Sequence, residues 1–327
     1  MHLIITILLL LIPFSLSALE GVSAPSYLLV ERDTFKVISG RDYSRRMAPA
    51  STTKVMTTIL ALEKLNGSET IVPDQRVVAI PASKLHLVPG RGYQALDLIR
   101  GTMIESANDA AYAVGSHIGG SEERFAQMMT EKARTIGAYD TNFRNASGLS
   151  AEGQYTTCWD LALMFSHGLG DARFRDIIGT RYFSFQSSMR EVRYKNHNRL
   201  LFCFEPSLGG KTGFTRAARH CYVGAFQKDG NVYILSLLGS RDLWGDAVKI
   251  LGELYADLPS KEEIRLAKGG SVTRLFSQKQ EGNHGAVILP CKQGRAKIRK
   301  AGTRKAGLQK ARAGRVKVQT GRKKAAA

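Results

Sequence analysis

No Asp or Glu occurs from Lys292 onward, whereas fourteen Lys and Arg residues fill that stretch. The formal net charge of +19 over 327 residues would by itself point to nucleic acid. Setting the tail aside leaves only +5 for everything before it. The excess charge belongs to the C-terminal segment, so nucleic acid is not the expected partner of the main body. Metal-ligand spacing is also missing. There is no CxxC or HExxH, and the seven histidines are scattered, so no metal and no other cofactor is expected. The apolar run at 3–14 is uncharged but too short for an ordinary membrane span. With 43% hydrophobic and 23% charged residues, the chain is not poor enough in apolar side chains to stay unfolded.

What the N-terminal run does have is a tail of small residues: Ser15, Ser17, Ala18, then Ser23 and Ala24. It reads as an export signal over 1–24, cut near Ala18 or near Ala24. The alternative is an uncleaved anchor or a buried N-terminal helix. Export would place the protein in the periplasm or on the outer face of the cytoplasmic membrane. Disulfides form in such compartments. Cys158, Cys203, Cys221 and Cys291 allow three pairings, among which the sequence does not choose.

Two strand-like runs, 27–30 and 35–39, form a predicted hairpin near the start. Residues 51–64 read as a helix with Val55, Ile59 and Leu62 on its apolar face. Residues 97–104 are another helix candidate. The clearest is 121–136: Ser121 caps it, Glu122 and Glu123 suit its first turn, and Gly137 ends it. Phe125, Met128, Met129, Ala133 and Ile136 would be its buried stripe. Two later strands, 221–226 and 232–238, flank the turn Lys228-Asp-Gly-Asn231. Residues 246–258 then read as an amphipathic helix. This order predicts an α+β domain over 25–259, its antiparallel sheet drawn from both chain ends around an inserted helical region. Residues 260–327 form a basic region. Runs at 286–290, 296–298 and 315–318 read as a small β module or, alternatively, as part of a disordered tail.

Three short motifs carry the chemistry: Ser51-Thr-Thr-Lys54, Ser106-Ala-Asn108 and Lys211-Thr-Gly213. Alone, each has a bland explanation, such as a capping serine, a turn or a strand start. Together and in order they say more. Ser51 and Lys54 are three apart at a helix start, so they share a face. A serine hydroxyl needs a base, and lysine serves only when its pKa is pulled toward neutral. Burial, a second cation such as Lys211 and the positive helix end all act in that direction. Ser106 can relay a proton and the Asn108 amide can hold a peptide backbone. Lys211 and Thr212 offer a cation and a hydroxyl to a free carboxylate, while Gly213 lets a substrate lie close to the strand.

These motifs resemble those of penicillin-binding proteins and serine β-lactamases. The wider pattern is similar to low-molecular-mass D-alanyl-D-alanine carboxypeptidases. It includes Tyr27-Leu-Leu, Ser147-Gly-Leu149, Gly153-Gln-Tyr155 with Asp160, Asn196-His-Asn198 with Leu200, and Phe214-Thr215 after the Lys-Thr-Gly. The resemblance spans 26–258. It implies a serine β-lactamase/D,D-peptidase-like fold with Ser51 as acylated nucleophile and Lys54 as base. Ser106 and Asn108 form the second catalytic element. Lys211, Thr212 and Gly213 line the substrate site, and the backbone N–H groups of Ser51 and Phe214 form an oxyanion hole. Arg241 matches an active-site arginine of some members. The implied substrates are peptidoglycan stem peptides, and β-lactams are the implied inhibitors. Three departures stand out: Arg219 after Ala218, His197 within Asn196-His-Asn198, and a short basic end without a visible amphipathic anchor. Rival readings are a D,D-endopeptidase or β-lactamase on the same centre, or a polyanion-binding envelope protein. The basic C-terminus gives a further expectation, contact with an anionic membrane or envelope polymer.

Overall fold

A computed structural model describes residues 19–187, 190–268 and 272–275. The chain opens with the hairpin β1 (Ser26–Glu31) and β2 (Val37–Arg41), then reaches α1 (Lys54–Lys64). A small ribbon follows, β3 (Thr70–Ile71) and β4 (Tyr93–Gln94). The helical region holds α2 (Ala95–Ile104), α3 (Asn108–Gly119), α4 (Glu122–Ile136), α5 (Cys158–Gly168) and α6 (Ala172–Gly179). The chain then forms β5 (Tyr182–Gln186), β6 (Arg190–Lys195) and the short α7 (Leu200–Cys203). It returns to the sheet as β7 (Ser207–Thr215), β8 (Arg219–Lys228) and β9 (Asn231–Ser240). The last described elements are α8 (Leu243–Leu251), α9 (Lys261–Leu266) and β10 (Val272–Leu275), the last paired antiparallel with β6.

The main sheet runs β2-β1-β9-β8-β7, and every neighbouring pair is antiparallel. β1, from the start of the chain, lies against β9 from near its end, as the sequence order predicts. Alternation along the strands divides the core in two. Leu28, Val30, Val223 and Ile234 face the inserted helices, where Val55, Ile59 and Phe165 meet them. Tyr27, Leu29, Tyr222 and Leu237 face the other way, onto Ala247 and Ile250 of α8 and Ile264 of α9. The β8–β9 turn has positive φ at Asp229 (50°) and Gly230 (82°), as a tight hairpin turn of this kind requires.

The predicted helix at 121–136 is α4: the Ser121 side chain accepts from Arg124 N, and Gly137 ends the helix at φ 92°. Three expectations are corrected in detail. First, the helix expected at 51–64 begins as a 3-10 turn over Ala50–Thr53 and becomes α-helical only at Lys54. Second, the helix expected at 246–258 is α8, three residues earlier at its start and seven shorter at its end. Its cap is Asp242, which accepts from Gly245 N; Asp246 is buried and turned to Ser23 and Ser240 instead. Third, Cys158 and Cys221 are free thiols in the core, so neither enters a disulfide. Cys291 and the runs at 286–290, 296–298 and 315–318 lie outside the described residues. Among the described residues no helix is long and apolar enough to cross a membrane, and no acid, histidine and cysteine cluster is fit to hold a metal ion.

Candidate active site

The three motifs meet where the N-terminal turn of α1, the loop between α2 and α3, and edge strand β7 converge. Pro49 and Ala50 lead into Ser51, and Ala50 sits at φ 46°, a left-handed conformation that costs energy for any residue with a side chain. Two glycines let neighbouring chain approach this turn. A Cβ at Gly213 would stand 2.8 Å from Ser51 N, and one at Gly148, where φ is 82°, would stand 1.8 Å from Ala50 O. Only glycine fits either place.

Lys54 has no exposed surface. Its Nζ contacts Ser51 Oγ at 3.0 Å, Asn108 Oδ1 at 2.7 Å and the Ser147 carbonyl at 2.5 Å. The Asn108 amide is oriented by its nitrogen, which donates to the carbonyls of Pro81 (3.0 Å) and Ala82 (2.9 Å). Burial first, and the nearby Lys211 charge second, hold the Lys54 pKa well below the usual lysine range, against an opposing pull from Asp109. A neutral amine has two N–H groups and one lone pair. Asn108 Oδ1 and the Ser147 carbonyl can only accept, so they take the two N–H groups. The lone pair is left facing the Ser51 hydroxyl, which is what a general base requires.

Ser106 sits at φ 64°, a second strained residue at the cleft. Its Oγ accepts from Lys211 Nζ at 3.0 Å, and Lys211 Nζ also donates to its neighbour's carbonyl, Thr212 O, at 2.8 Å. Burial lowers the pKa of Lys211 to about 7, partly offset by Glu105. A cleft of about 580 Å³ opens over these groups, and Ser51, Ser106, Asn108, Thr212, Gly213 and Phe214 all line it.

Of the candidate catalytic and substrate-binding residues, Arg241 alone is not brought to the cleft. It is exposed, its backbone N–H donates to Ser23 Oγ at 3.0 Å, and the cleft wall instead includes Leu243 and Trp244. Other motif residues act as supports. Asn145 Oδ1 accepts from the N–H groups of Ser147 (3.2 Å) and Gly148 (2.7 Å), and Gln154 Nε2 donates to Leu149 O at 2.9 Å, which fixes the loop that holds Lys54. Asp160 Oδ2 accepts from Thr141 Oγ1 at 2.7 Å, away from the cleft. His197 stands at the rim, 3.6 Å from Glu105. Sequence reasoning missed Asn145, because its role depends on a turn that no local pattern announces. It also missed Arg199 and His220, which line the cleft from the residue before α7 and from β8.

This constellation has close counterparts. The family model for D-alanyl-D-alanine carboxypeptidase matches residues 14–242. The chain is 33% identical over 225 residues to D-alanyl-D-alanine carboxypeptidase DacF of Bacillus subtilis, covering 66% of this chain and 57% of that protein. It is 32% identical over 235 residues to DacB2 of Mycobacterium tuberculosis, covering 69% of this chain and 80% of that one. The crystal structure of a D-alanyl-D-alanine carboxypeptidase from Mycobacterium tuberculosis superposes with a TM-score of 0.69 at 29% identity, covering 80% of this chain and 98% of that one. The chain thus spans little more than half the length of the Bacillus protein but nearly all of the Mycobacterium structure. With the fold, the convergent motifs and this family match in agreement, the chain belongs to the D-alanyl-D-alanine carboxypeptidase family.

Proposed function

We propose that this protein is a serine D,D-carboxypeptidase that removes the terminal D-Ala from peptidoglycan stem peptides. The observation that carries the reading is the buried Lys54, 3.0 Å from Ser51 Oγ, with two of its three polar contacts already filled by pure acceptors. Lys54 Nζ takes the Ser51 proton as Oγ attacks the penultimate D-Ala carbonyl. The N–H groups of Ser51 and Phe214 hold the oxyanion, an arrangement in which one donor is typically worth about 10²–10³ in rate. Ser106, in contact with Lys211, passes a proton to the amine of the departing D-Ala. Water then hydrolyses the ester on Ser51 and regenerates the hydroxyl. Asn108 holds Lys54, and the Thr212 hydroxyl receives the terminal carboxylate, with Lys211 behind Ser106. A β-lactam acylates the same serine, because its ring carbonyl sits where the scissile carbonyl would.

Mass spectrometry after incubation with penicillin tests the centre. A single adduct on the peptide containing Ser51 is expected, and an adduct that persists in Ser51→Ala would falsify the assignment. Product analysis on a stem pentapeptide, with release of free D-Ala, separates a carboxypeptidase from an endopeptidase. We place the enzyme outside the cytoplasmic membrane, since its substrate is there and the N-terminus reads as an export signal. The basic C-terminal stretch is proposed to contact an anionic membrane or envelope polymer.

A further inference from the structure

The cleft has an arginine, but not the one that motif matching selects. Thr212 and Phe214 leave β7 on one face, and their cross-strand partners Tyr222 and His220 leave β8 on the same face. Lys211 and Gly213 point the opposite way, to Ser106 and Ser51. Trp244 meets Tyr222 edge-on, with ring centroids 5.7 Å apart. The Arg199 guanidinium carbon lies 5.9 Å from the Trp244 ring centroid. Arg199 and His220 both line the cleft, together with Thr212 and Trp244. The backbone beside it is tied to β8, because Asn198 Oδ1 accepts from Tyr222 Oη at 3.4 Å and from Leu200 N at 3.2 Å. Arg199 is therefore held over the sheet face that carries the Thr212 hydroxyl.

Its charge is also unspent. Arg199 makes no ion pair with any described residue. Glu105 is the one carboxylate among the residues lining the cleft, and it stands 3.6 Å from His197. Asp242, which also acts on His220, is occupied in capping α8 through Gly245 N. A half-buried guanidinium stacked on tryptophan and lacking an acid partner is prepared for a planar anion, which it grips through two parallel N–H bonds. A substrate whose scissile carbonyl lies at Ser51 extends its C-terminal end along β7 toward Thr212.

We propose that Arg199, rather than Arg241, supplies the guanidinium that pairs with the substrate's C-terminal carboxylate beside the Thr212 hydroxyl. The inference rests on the D,D-peptidase reading above and concerns which residue makes the enzyme select a free C-terminus.

The test compares two peptides that differ only at the end, one finishing in D-Ala-D-Ala with a free carboxylate and the other in its carboxamide. Wild-type enzyme is expected to prefer the acid by about tenfold or more in kcat/KM, mostly through KM, as befits a charged hydrogen-bonded pair. In Arg199→Gln the preference should fall to near one, while Arg241→Gln should keep it. Arg199→Lys serves as a second variant, because it keeps the charge but loses the fork; an intermediate preference is expected. Wild-type preference retained in Arg199→Gln or Arg199→Lys, or lost in Arg241→Gln alone, would overturn the assignment. Turnover of neither peptide by wild-type enzyme would instead overturn the peptidase reading on which it rests.

Discussion

A lysine with no exposed surface must find an acid or give up its charge. The acceptors around Lys54 Nζ are a hydroxyl, an amide oxygen and a carbonyl, and none of them is a carboxylate. Lys54→Arg should therefore abolish acylation by penicillin and lower the melting temperature, since arginine keeps its proton in proteins and its charge would stay buried without an acid. A variant acylated at the wild-type rate would move the base elsewhere. The same electrostatics set the pH profile. As pH falls through the lowered Lys54 pKa, Nζ is protonated and acylation slows. As pH rises through about 7, Lys211 loses the positive charge that it holds against Ser106. The profile of kcat/KM on a stem peptide should be bell-shaped. Lys211→Arg should shift its alkaline limb upward, because the guanidinium does not titrate there; an unmoved limb would belong to another group. Stability has its own sign. Unfolded Lys211 holds its proton up to about 10.5, whereas the folded residue releases it near 7, so stability rises with pH between these values.

Among the elements, the segment 19–24 is more firmly held than a leader remnant needs to be. Ser23 N and Ser23 Oγ both donate to Asp246 at 2.7 Å, and Ser240 Oγ donates to the same carboxyl at 2.6 Å. Arg41 donates to the carbonyls of Leu19 (2.8 Å), Val22 (2.9 Å) and Ala24 (3.3 Å), and Lys249 to Gly21 O. Of the two cut positions the sequence offers, the one near Ala18 preserves these bonds and the one after Ala24 removes all of them but the Ser240–Asp246 contact. A chain starting at Leu19 should melt at a higher temperature than one starting at Pro25. Ser23→Ala should cost about 1–3 kcal/mol, or roughly 2–4 °C for each kcal/mol; equal melting of the two truncations would show that the segment contributes nothing. Sequence reasoning did not see this, because Asp246 was read only as the first residue of an amphipathic helix. The β1–β2 hairpin, α4 and the β8–β9 turn were legible, since apolar period, capping residues and turn chemistry are local signals. Ser51, Lys54, Ser106, Asn108 and Lys211 were legible as a set because three motifs in order narrow the chemistry. Arg199 was not: it reaches the cleft only through Trp244 and the Asn198–Tyr222 contact, and neither is encoded by spacing.

At the scale of the whole molecule, the excess positive charge is concentrated at the C-terminal end of the sequence. The fourteen basic residues from Lys292 onward have no acid among them. Near an anionic lipid surface each contributes about 1 kcal/mol, so even partial engagement would hold the enzyme close to its polymeric substrate without an inserted helix. A solvated tail that only aids solubility is the competing account. The two differ in salt response, because charge-driven contact is screened over about 10 Å at 0.1 M salt. The structure decides where to cut for the test. Ile264 of α9 is buried beneath the sheet, and β10 pairs with β6 over Val272–Leu275. A truncation before Lys261 would open the core, whereas one after Leu275 leaves those contacts in place. Full-length protein should sediment with phosphatidylglycerol vesicles at low salt and be released as salt is raised. The form ending at Leu275 should stay in solution at every salt concentration and still release D-Ala from a short soluble peptide. Equal sedimentation of the two forms, or binding indifferent to salt, would leave the tail as a solubility device and place any membrane contact on the catalytic domain.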